Sequence, residues 1–143
     1  MANAVDVAAY ILEKCGTMTA MKLQKLVFYS QAWSLVWDDA PMFQDRIEAW
    51  ANGPVIPKLH FHHRGMFNVS RSNLGGDAGA LDSTQRDTVD AILKFYGDKT
   101  SQWLSELTHK ERPWKEARGD TAPGERSDRE ITHEAMAEYY GSL

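Results

Sequence analysis

The sequence predicts a mainly α, compact single domain over residues 1–143, with several short helices around a buried central helix at about 20–37. Three observations carry this. Apolar residues recur at helical spacing in several separate stretches. The stretch from Ala20 to Trp37 is apolar nearly all round, the pattern of a helix covered on every side. Turn formers such as Gly16, Asn52-Gly53-Pro54, Gly97 and Pro123-Gly124 keep the other elements short.

The first helix is expected over about Val5–Lys14. Asn3 can cap it, and Asp6 places a negative charge in the first turn, where the helix dipole favours one. Val5, Ala8, Ala9 and Leu12 form its inner stripe, and Gly16 ends it. Thr19 or Thr17 caps the central helix. Along that helix Leu23, Leu26, Val27, Trp33 and Trp37 trace one stripe, and Met21, Phe28, Tyr29, Ala32, Leu35 and Val36 fill most of the remainder. Gln24, Gln31 and Asp38 leave a thin polar strip. Lys22 and Lys25 are expected to cover apolar surface with their stems while their ammonium groups reach solvent.

Asp38–Asp45 connects, and Arg46–Ala51 is extended, leaving room for a short strand pair near 46–56. Asn52-Gly53-Pro54 forces a turn. Pro57 opens a short helix to about Arg64, and Gly65 stops it. Residues 66–80, with Gly75, Gly76 and Gly79, are expected to be the least ordered internal stretch. Asp82 and Gln85 make a capping box for a helix whose buried face is Val89, Ile92, Leu93 and Tyr96. Ser101 is expected to cap the next helix, and Pro113-Trp114 starts a further turn. A loop spans Gly119–Arg129. The last helix starts at Thr132, stapled by Ile131 and Met136, with Ser127 and Glu130 as a rival start.

Composition restricts function. The 143 residues are 43% apolar and 25% charged, ordinary for one globular domain able to bury a core unaided. With 16 basic against 20 acidic residues the net charge is −4, which opposes general nucleic-acid binding. Cys15 is the only cysteine, so an internally disulfide-stapled fold is excluded, and apolar packing is the expected role of its thiol. The N-terminus shows no basic-then-apolar leader, and no run approaches a membrane span, so a cytoplasmic location is expected.

Candidate chemistry is sparse. His60, His62 and His63 cluster, but no further ligand lies at metal-site spacing, so a surface histidine group titrating near neutrality is the preferred reading and no metal or cofactor is expected. His109 with Glu111 could do acid–base work, yet no nucleophile motif accompanies them. His109 is expected instead to tie one helix to the next by hydrogen bonds. Trp50 reads equally as core or as the anchor of a groove framed by Gly53-Pro54.

The stretch Thr19–Trp33 (TAMKLQKLVFYSQAW) resembles the opening of the Panacea domain, found in SocA-like antitoxins. Phe43 with Ile47–Pro57 (IEAWANGPVIP) resembles its next segment. Val89, Ile92, Leu93, Tyr96-Gly97, Leu104, Leu107-Thr108-His109, Pro113-Trp114, Ala117-Arg118 and Ile131-Thr132 follow the later pattern in order. The resemblance implies a phage-associated class of antitoxin that neutralises a cognate protein toxin, encoded by an adjacent gene, through direct contact and without catalysis. It gives Lys22, Gln24, Lys25, Gln31, His109, Pro113 and Trp114 the role of motif scaffold. Trp50, Gly53 and Pro54 are the expected partner contacts, joined by His60, His62 and His63, where the chain departs from the family pattern. Gln24 and Gln31 are expected to pair inside the domain, for example with the turn backbone. Two other readings stand beside this one: an adaptor delivering a bound partner to a protease, and a hydrolase built on His109.

Overall fold

The central helix forms where its pattern places it. In a computed structural model describing Met1–Leu143, the chain runs α1 (Ala4–Cys15), β1 (Met18–Thr19), α2 (Ala20–Trp37), β2 (Glu48–Trp50), β3 (Gly53–Val55), α3 (Pro57–His63) and β4 (Asn68–Val69). A 3-10 turn at Ala78–Ala80 precedes α4 (Ser83–Tyr96), α5 (Ser101–Lys110), α6 (Arg112–Arg118) and α7 (His133–Gly141). The domain is mainly α, with two small antiparallel strand pairs. Thr19 caps α2 by accepting from Lys22 N, and α1, α4, α5, α7 and β3 all pack on that helix. Leu23, Leu26, Val27, Phe28, Tyr29 and Ala32 are fully enclosed, as a helix without a polar face requires.

Capping chemistry fixes the helix starts. Asn3 and Asp6 form a reciprocal box on α1, and Asp82 and Gln85 form another on α4. Thr132 caps α7, with Ile131 and Met136 both buried, so the rival start at Ser127 is not used. The cap of α5 is Thr100 rather than Ser101; Ser101 lies one residue inside and its hydroxyl meets that of Thr19.

Three expectations need correction. Cys15 is exposed, beyond the buried turns of α1. Residues 66–80 are held rather than loose: β4 pairs with β1, Leu74 is buried, and Arg71 donates to Leu74 O and Glu13. Two-residue strands carry too little periodicity to be read from sequence. The third correction is Lys25, which is buried, whereas Lys22 donates to Gly97 O at 2.7 Å.

The strand pair near 46–56 is β2–β3, joined at Ala51-Asn52 with Trp50 opposite Gly53. Its outer edge is also covered. Ala49 N donates to Arg129 O and Ile131 N donates to Ile47 O, so the segment before α7 runs alongside β2. Arg118, itself buried, shapes the preceding loop by donating to Ala49 O, Ala122 O and Glu125 O.

Candidate partner-binding site

A cavity of about 790 Å³ opens between the N-terminal half of α2, the β2–β3 hairpin, α3 and the 126–128 loop. Each wall has a local cause. Pro57 starts α3 directly after the hairpin, and Gln24 clamps that junction: its Oε1 accepts from Ile56 N at 2.9 Å, and its Nε2 donates to Ile56 O at 3.3 Å. The amide orientation is therefore fixed by the backbone. The same Nε2 donates to His63 Nε2 at 3.0 Å, so that ring nitrogen carries no proton. Burial, and then the neighbouring His60, push the His63 pKa below its ordinary value, in keeping with a neutral ring.

His60 stands edge-on to Trp50, ring centres 5.0 Å apart. The Trp50 indole N–H donates to Glu48 Oε1, and Arg46 donates to Glu48 Oε2 at 2.8 Å and to Asp128 O at 2.8 Å, which pulls the 126–128 loop onto the cavity edge. Met21 and Met66 line the same cavity and are exposed.

Lys25 lies at its inner end. The side chain is 1% exposed, takes part in no ion pair of the fold, and burial alone lowers its pKa to about 8. Gly53 makes room for it: with φ at +123°, a side chain there would put its first carbon 2.6 Å from Lys25 Cε and 3.0 Å from Nζ. The glycine thus serves both the turn conformation and the lysine beneath it.

The structure brings Trp50, His60 and His63 of the expected contacts together around this cavity. Gly53 and Pro54 are buried beside it rather than presented at a turn tip. His62 is exposed and outside the cavity lining, so the three histidines do not form one surface group: His63 is enclosed, His60 packs on Trp50, and only His62 is open. Lys25 and the 126–128 loop are the participants that sequence reasoning missed. The available signal was the apolar surround of α2, since a lysine on a helix covered on all sides is itself covered.

The motif-scaffold residues sit elsewhere in the frame. Gln31 accepts from Met42 N at 2.7 Å and donates to Phe43 O at 2.7 Å, so both central glutamines pair with backbone inside the domain. Pro113 opens α6, and Trp114 donates to Trp50 O at 2.9 Å. His109 joins α5 to α6 by lying flat on Trp114, centres 4.1 Å apart, not by the expected hydrogen bond to the next helix; its Nε2 has no partner. Glu111 faces the opposite way, where its Oε1 accepts from Tyr29 and Tyr140 at 2.7 Å each. No set of three His, Cys, Asp or Glu side chains converges as metal ligands, and no helix is long and apolar enough to cross a membrane.

No curated protein and no solved structure matches the chain. A family model described as "Antitoxin SocA-like, Panacea domain" matches residues 23–115, from the first turn of α2 into α6. The matched span holds Lys25, Trp50, Gly53, His60 and His63, while the 126–128 edge of the cavity lies beyond it. With well over half of its length matched, the chain belongs to the SocA-like antitoxin family of Panacea domains.

Proposed function

We propose that this domain neutralises a cognate protein toxin by binding it directly, and that the face around the Trp50 cavity makes the contact. Family membership carries the first part. The second part is supported by the cavity's composition. Trp50 and two exposed methionines surround polar groups held in fixed positions, which is the anatomy of an interface centre.

The partner is expected to be encoded beside this gene, and the domain is expected to act in the cytoplasm without a catalytic step. The hydrolase reading is disfavoured because Glu111 is enclosed by two tyrosine hydroxyls and is not oriented toward His109. Co-expression with the neighbouring gene tests the proposal: copurification together with restored growth is the expected result. Growth rescue without a stable complex favours an adaptor or repair role. The absence of both rescue and copurification overturns the reading.

A further inference from the structure

Lys25 is the group in this fold that the family assignment leaves unexplained. A lysine enclosed to this degree normally finds a carboxylate or carbonyls, because an unpaired ammonium loses its hydration without recompense. Arg118 meets that requirement with three backbone carbonyls. Lys25 meets it with nothing in its own chain, while its side chain forms part of the cavity wall. It is also held in place. Gly53 closes over its end, and Gln24, one residue earlier, is locked to the hairpin exit.

We infer that this cavity receives an acidic side chain, Asp or Glu, of the bound toxin, with the carboxylate paired to Lys25 Nζ and its carbon stem laid against Trp50, Val55 and the two methionines. The inference rests on the toxin-binding reading above. Three features select this occupant. Lys25 and Arg126 are the cations of the lining and Glu48 and Asp128 its anions, so the cavity carries no excess positive charge to hold a multiply charged phosphate, whereas the enclosed Lys25 ammonium can pair with one carboxylate. Glu48 is not the missing partner: its oxygens are held by Trp50 and Arg46, and its ion pair is with Arg46, not with Lys25. The volume of about 790 Å³ and the apolar rim also exceed what a bare anion fills, and suit a carboxylate carried on a peptide.

The arrangement divides the energetics between two states. The free domain carries an unpaired, desolvated charge. The complex supplies the counter-charge in a water-poor site, where a pair is worth more than at the surface. The fixed Lys25 then acts as a specificity determinant, since a partner presenting a neutral or basic side chain at this position leaves the ammonium unpaired or repelled.

The test uses the full chain and the neighbouring gene product. Lys25→Met and Lys25→Gln are measured for thermal unfolding, for affinity and for growth rescue. Every Asp and Glu on the toxin surface is changed singly to Asn or Gln. The expected result is that both Lys25 variants fold at least as stably as the parent, yet bind about 30-fold or more weakly. One acidic residue of the toxin should show the same loss against the parent and no further loss against Lys25→Met. Parental affinity in both folded Lys25 variants overturns the inference and leaves the toxin-binding reading standing. Failure of the parent itself to bind overturns both. Weakened binding without any coupled acidic residue, and a complex dissociated by added acetate or inorganic phosphate, overturns the side-chain source in favour of a free anion.

Discussion

Glu111 and Lys25 are both buried, on different sides of α2, and they are accommodated in opposite ways. On one side of α2, Glu111 sits among aromatic rings, and a single carboxylate oxygen accepts from both Tyr29 and Tyr140. Tyr29 also stacks on Tyr96 at 4.3 Å. On the other side, Lys25 lies beneath the hairpin with no acidic partner and borders a cavity. Burial raises the Glu111 pKa, while the two tyrosine hydrogen bonds hold it down; at Lys25 nothing opposes burial. The first group is internally satisfied and holds helices together. The second forms no ion pair within the chain and borders a cavity. On the inference above, the difference separates a buried charge that braces the fold from one left open to a partner.

The largest test of the contrast is Glu111→Ala. It leaves two buried hydroxyls unpaired and opens a void between α2, α5 and α7, so unfolding free energy should fall by about 4 kcal/mol. Denaturant unfolding reads this directly. A loss below about 1 kcal/mol would mean that the tyrosine–carboxylate cluster is not the brace described here.

Lys25→Met should act in the opposite direction, raising stability by about 2 kcal/mol near neutral pH. The pH dependence gives an independent reading. The folded-state pKa of Lys25, about 8, lies below its ordinary value of 10.5. Between those limits the unfolded chain binds more protons, so stability rises with pH. Below pH 8 the lysine is charged in both states and the penalty is fully present. Above pH 10 the raised pKa values of Tyr10, Tyr29, Tyr96 and Tyr140 act against stability, which makes pH 8–10 the informative window. The parent should gain stability across it relative to Lys25→Met; parallel profiles would contradict a desolvated lysine.

Gly53→Ala probes the same site from the hairpin. The positive φ and the 2.6 Å approach to Lys25 Cε together should cost about 2 kcal/mol. In a Lys25→Ala background the lysine approach disappears, leaving backbone strain and the 3.2 Å approach to Thr108 Oγ1, together about 1 kcal/mol. Equal losses in the two backgrounds would show that the glycine serves only the turn.

Much of the frame was legible in the sequence because its signals are local. Caps such as Asn3, Thr19 and Asp82 are read from a few adjacent residues, and the bounds of α2 follow from them and from its apolar composition. The pairing of Gln24 and Gln31 was legible too, since a buried amide must find a backbone partner. The site was only partly legible. Trp50, His60 and His63 meet because Gln24 closes the hairpin onto α3 across 32 residues of sequence, and the 126–128 loop arrives through Arg46 and Arg118. Lys25 was read as exposed because snorkelling is the usual outcome for lysine. Only the tertiary packing of the hairpin on α2 prevents it.

The smallest expected effect tests whether an unpaired buried atom is enough to mark function. His109 Nε2 is buried without a partner, as is Ser105 Oγ, yet the His109 ring lies flat on Trp114 and, unlike Lys25, does not line the cavity. Burial lowers its pKa, aided by the nearby cations Lys25 and Arg118 against a pull from the Asn52 backbone, so the ring is neutral near pH 7. His109→Phe keeps a flat ring on Trp114 and removes the orphaned nitrogen. Stability should therefore change by less than about 1 kcal/mol, and toxin binding and growth rescue should match the parent. If rescue were lost while the fold and the complex survived, His109 would be acting chemically, and the hydrolase reading would return. If rescue persists, access to the cavity, which Lys25 has and His109 lacks, is what separates a partner-reading group from an imperfectly satisfied one.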